Sequence, residues 1–189
     1  MTDPLFDDRR RALEEEHFQK LNAALIARLR EERREADQVR ELSGATGIED
    51  PALLDELAKL GFTPETLPAL AVAPLFEVAW TDGRVDDSER RAILADPGVA
   101  SLDPAGAAHA MVDGWLIERP AGSVFATWWE LTRAACGPLA PEDRLGLEQE
   151  MLRRATIIAK ASGGFLGFGS PASPEEHVAL ERVRAAYRG

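Results

Sequence analysis

From Asp7 to Leu42 the chain contains neither proline nor glycine and is rich in Ala, Leu, Glu and Arg. A run of that length without a breaker reads as one long helix. Its apolar residues are Leu13, Phe18, Leu21, Leu25, Leu29, Ala36 and Val39, and from Phe18 onward they keep a helical spacing of three, four or seven. They form one narrow stripe on a surface of opposite charges, such as Glu31 and Glu35 against Arg34 and Arg40. A stripe so thin suits one neighbour, either a partner helix or the surface of the chain's own domain. "SGATG", residues 43–47, then punctuates the chain and reads as a linker. This divides the chain into a charged amphipathic helix, residues 1–45, and a helical domain, residues 46–189.

The rest of the chain is a series of helical segments separated by prolines and glycines. "EDPALLDELAKLG" places a cap at Asp50, Pro51 at the first helical position and Gly61 beyond the end. "TPETLPALAVAPLFEVAW" is strongly apolar and is expected to bend or restart at Pro68 and Pro74. Helices follow in "DDSERRAILAD", in a segment started by Asp103 and Pro104, and in "PAGSVFATWWELTRAACG". The last two are "PEDRLGLEQEMLRRATIIAKASGG" and "SPEEHVALERVRAAY". No segment alternates in the way a strand requires. The expected fold is all-α: a bundle of seven to eight helices in two weakly related halves, with a long N-terminal helical extension.

Charge narrows the function classes. The net of −11 is uneven: residues 46–103 hold 12 acids and 4 bases, a net of −8. The flanking segments net only −2 (residues 1–45) and −1 (residues 104–189). Such a field repels phosphate backbones and attracts cations or basic partners, which argues against nucleic-acid binding. The single cysteine, Cys136, rules out an internal disulfide framework and a cysteine metal cluster, and it fits a reducing, cytoplasmic setting. The opening residues lack the apolar core of a signal peptide. The longest apolar run is broken by Pro74 and Glu77 and is too short to span a bilayer.

The acidity centres on "AWTDGRVDDSERRAIL", residues 79–94. Asp82, Gly83, Val85, Asp86 and Glu89 fall in register with the second half of an EF-hand loop. In that reading Asp82, Asp86 and Glu89 are the metal ligands. The loop's first two ligand slots fall on Val78 and Trp80, so any calcium or magnesium site would be weak, about 10⁻⁴–10⁻³ M. The alternative is structural: Asp86 and Glu89 form a capping box, and Asp82-Gly83 forms a turn.

A weak internal repeat points the same way. "VAWTDG" resembles "IAKASG", each closing an apolar helix, and each precedes a helix start: Asp86 with Glu89, and Ser173 with Glu176. The second copy carries a seven-residue insertion. The pattern at Ala79, Asp82, Gly83, Val85 and Glu89 resembles the tellurite-resistance TerB family, and "AKASGGFLGFGSPASPEEHVALERV" resembles that family's second junction. The likeness covers roughly residues 50–187. The resemblance implies an all-α fold of two related halves, an acidic face for a divalent cation, and a bacterial stress-response or envelope-stress context without known catalysis. Asp82, Asp86 and Glu89 carry over directly. Ser162 stands where the second aspartate would be.

Other candidates are weaker. In "GGFLGFGSPAS", Phe165, Leu166 and Phe168 either plug the bundle or meet a protein partner or a membrane surface peripherally. Adjacent Trp128 and Trp129 cannot share a helical face, so one belongs to the core and the other to the surface or a groove. His109 with Asp113, and His177 with Glu181, are local pairs lacking a third zinc ligand. Cys136 has no neighbouring base in sequence. No catalytic residue is nominated. The expected function is a non-enzymatic domain with an acidic face. The alternative is an assembly adaptor working through residues 7–42, including self-assembly.

Overall fold

The most apolar segment becomes the centre of the fold. In the computed structural model, which describes residues 4–162 and 174–188 with side chains at 17–161 and 174–188, helix α3 (Leu67–Ala79) is buried on nearly every face. Leu70, Val72, Leu75, Phe76 and Val78 are at most 2% exposed. A helix apolar all round can only sit inside a bundle. The other helices are α1 (Pro4–Thr46), α2 (Pro51–Lys59), α4 (Asp87–Leu94), α5 (Pro97–Ala100), α6 (Ala107–Trp115), α7 (Gly122–Cys136), α8 (Pro141–Ser162) and α9 (Pro174–Arg188). α5 through α9 all pack against α3. Among the described residues there is no strand, and the all-α bundle is as expected.

Local signals set most helix ends. Asp50 accepts from the amides of Ala52 and Leu53, Pro51 opens α2, and Gly61 follows its end at φ +80°. Pro68 lies in the first turn of α3, where a missing N–H is no loss, so the helix starts there instead of bending. Pro74 lies inside α3, which continues across it. The ninth helix, α5, was not expected; its single turn is capped by the Asp96 side chain, which accepts from the Gly98 amide at 2.9 Å.

The segment read as a linker is different. Residues 43–46 are the last turn of α1, which ends at Gly47 with φ +69°. The Thr46 hydroxyl donates to the Leu42 carbonyl and the Ser43 hydroxyl to the Ile48 carbonyl. Leu42 is fully buried, Val39 packs on the core, and Gln38 donates to the Phe62 carbonyl. The packing of Leu42, Val39 and Gln38 on the body, with these two short-range hydroxyl bonds, holds the turn despite Ser43 and Gly44.

Two ion pairs tie the helices together, one largely buried on both sides and one joining a buried glutamate to an exposed arginine. Asp96 accepts from Arg154 Nε and Nη2 at 2.8 and 2.6 Å, joining the α4–α5 turn to α8. Glu148 of α8 accepts from Arg188 of α9 at 2.7 Å. Trp128 is core and stacks edge-on to Tyr187, whereas Trp129 is half-buried under the Arg133 guanidinium.

Candidate functional site: the acidic helix junction

The turn after α3 is built from short-range bonds. The Thr81 hydroxyl donates to the Val78 carbonyl, and the Gly83 amide donates to the Trp80 carbonyl at 3.1 Å. Gly83 has φ +89°, a region that disfavours any side chain. Asp82 accepts from the Arg84 amide at 3.1 Å and stays exposed. Val85 packs against the core.

Next comes the capping box in full. Asp86 Oδ1 accepts from the Ser88 and Glu89 amides at 2.7 and 2.8 Å, and Glu89 Oε2 accepts from the Asp86 amide at 2.9 Å. Glu89 is 3% exposed. Burial pushes its carboxyl up to about 7, and the charges of Asp86, Asp82 and Glu176 push in the same direction.

Glu176 comes from the other end of the bundle's sequence. It sits in the first turn of α9, is buried, and is close enough to Glu89 to disfavour its ionisation. The two glutamates of the sequence repeat are thus brought near one another. The loop of the second junction, residues 163–173 with Ser173 and the proposed contact residues Phe165, Leu166 and Phe168, lies outside the described residues, as does the Ser162 side chain.

Val78 and Trp80, in the first two ligand slots of the EF-hand register, both face the core, and the Trp80 indole donates to the Trp115 carbonyl at 2.9 Å. Among the described residues no three His, Cys, Asp or Glu side chains group as metal ligands. Asp82, Asp86 and Glu89 therefore do not converge as a ready three-ligand site. Asp86 and Glu89 are turned into the capping box, and Asp82 is turned onto its own loop. His109 pairs with Asp113 at 3.1 Å, as a local pair. Cys136 is buried, and burial pushes its thiol up, away from the reactive thiolate.

Three features were not found from sequence. Glu77 of α3 is mostly buried, 3.4 Å from Arg182 of α9, and burial raises its carboxyl. A groove of about 750 Å³ between α2 and α7 is lined by Asp50, Leu53, Glu56, Ala126, Glu130 and Arg133. A second, of about 580 Å³, runs past Leu67, Pro68, Leu147, Met151 and Tyr187. Each combines residues from distant segments, for which no sequence motif exists.

Among the described residues no helix is long and apolar enough to cross a membrane. Compared with known proteins, the chain matches no family model, no curated protein and no solved structure.

Proposed function

We propose that this chain is a non-enzymatic interaction module that engages a protein partner through the exposed part of α1. One observation carries the reading: every residue from 17 to 36 is exposed, yet this stretch holds Phe18, Leu21, Leu25, Ile26 and Leu29. Each of those five is about half exposed or more, from 49% to 65%. Scattered surface leucines need no explanation, but a continuous stripe on a projecting helix points to an interface. The helix is held in the meantime by its own ion pairs, Arg28 to Glu32 and Arg34 to Glu31. The test is capture from a native lysate by the parent chain and by Leu21→Glu/Leu25→Glu. A partner held equally by both baits would remove the arm from the function.

A second reading keeps the acidic junction as a TerB-like, stress-response site for a divalent cation or a basic partner. It is supported by the −8 segment and by the convergence of Glu89 and Glu176. Calcium or magnesium would have to draw Asp86 and Glu89 out of their capping bonds, at about 1 kcal/mol for the cap. Titration with calcium, magnesium and zinc against Asp82→Asn/Glu89→Gln tests it. Equal responses from parent and variant would end the metal half.

A further inference from the structure

We infer that the partner of the α1 stripe is a second copy of α1, packed antiparallel; this rests on the arm being the interface. The chain's own body does not cover the stripe: it meets α1 through Gln38, Val39 and Leu42, C-terminal to the exposed residues. At about 100° per residue, Phe18, Leu21, Leu25 and Leu29 fall within roughly 80° of arc.

Self-complementarity decides the occupant. A two-fold antiparallel pair demands that whatever stands at one distance before the centre be matched by a complement at the same distance after it. The stripe from Phe18 to Leu29 is centred between Ala23 and Ala24. About that centre Phe18 opposes Leu29, Leu25 opposes Asn22, and Leu21 opposes Ile26, which lies about 60° beyond the arc of the other four. Residues 13–19 carry three acids, Glu14, Glu15 and Glu16, and no Lys or Arg. They oppose residues 28–34, where Arg28, Arg30, Arg33 and Arg34 outnumber Glu31 and Glu32 for a net of +2. A parallel pair would set like blocks against like. It would also bring the two −8 segments to the same end, whereas the antiparallel pair keeps them at opposite ends.

The area is adequate. Five half-exposed large side chains present about 100 Å² each, so two copies remove roughly 1,000 Å² of apolar surface before flanking contacts are counted. That approaches a standard stable interface of about 1,200–2,000 Å². The expected species is a reversible dimer of twice 20.6 kDa.

Sedimentation equilibrium of the purified full chain at 5–200 µM (roughly, bracketing a micromolar dissociation constant) tests the dimer. Leu21→Glu/Leu25→Glu is expected to weaken it on the order of 100-fold or more. Both sites are exposed, and circular dichroism of the variant checks that the body is intact. Orientation is read from spin labels on Arg40→Cys, since Cys136 is buried. The antiparallel pair sets the labels about 50 Å apart, whereas a parallel pair would hold them within about 20 Å. A monomer at every concentration, or the short distance, overturns the inference. A purified monomer that still captures a lysate protein through the arm would sink the second copy and leave the arm reading standing. Loss of both would sink both.

Discussion

Glu89→Gln should make this protein more stable at pH 8 and leave it nearly unchanged at pH 5. Glu89 is buried at the start of α4, accepts from the Asp86 amide, and titrates at about 7 instead of the ordinary 4.5. Because its folded value is raised, the folded state holds this proton more tightly than the unfolded chain does. Its contribution is therefore fully present below pH 4.5 and is lost as pH rises through about 7. The difference in titration corresponds to about 2–3 kcal/mol, most of it from burial, with the charges of Asp86 and Asp82 adding less. Glutamine keeps an acceptor for the Asp86 amide and has no charge to desolvate. With a urea slope of about 2 kcal/mol per molar, the variant's midpoint should exceed the parent's by roughly 1 M at pH 8. Paired urea unfolding at the two pH values reads this directly, and the histidines cancel in the difference. A gap that is the same at both pH values would refute the argument. So would a variant less stable than the parent at pH 8, because the carboxylate's attraction to the helix start would then outweigh its burial.

Asp96→Ala should cost about 3–5 kcal/mol, because it strands the Arg154 guanidinium, whose side chain is 15% exposed, and uncaps α5. Thermal melts should show the double variant Asp96→Asn/Arg154→Met recovering part of that loss, and no recovery would count against the pairing. Gly83→Ala should cost about 1 kcal/mol from its φ of +89° alone, since nothing lies within 4 Å of the added carbon. Gly98→Ala should cost more, its new carbon lying 2.6 Å from Arg154 Nη2, and urea midpoints in the reverse order would contradict this.

What was legible in the chain was local. The Asp50 cap with Pro51, and the Asp86–Glu89 box, close rings spanning two or three residues, so the spacing alone specifies the bond. The fate of the two tryptophans also followed from spacing, because adjacent helical residues point about 100° apart. The "SGATG" segment misled for the converse reason. Its glycines and serine favour a break, but Leu42 in the core and two hydroxyl-to-carbonyl bonds keep residues 43–46 helical.

The sequence by itself determined that the chain is helical, where most helices start, and that its acids gather around one junction. These follow from hydrogen bonds and steric limits within a few residues, which no distant contact needs to supply. Tertiary structure alone decided that Glu176 comes within electrostatic reach of Glu89, that Asp96 meets Arg154, and that the large apolar residues of α1 from Phe18 to Leu29 stay exposed. A narrow apolar stripe is compatible with either a neighbouring surface or a partner. Only the three-dimensional course of α1 past the body shows which side chains the body covers. That geometry leaves residues 17–36 of α1 exposed and sets Val39 and Leu42 against the body.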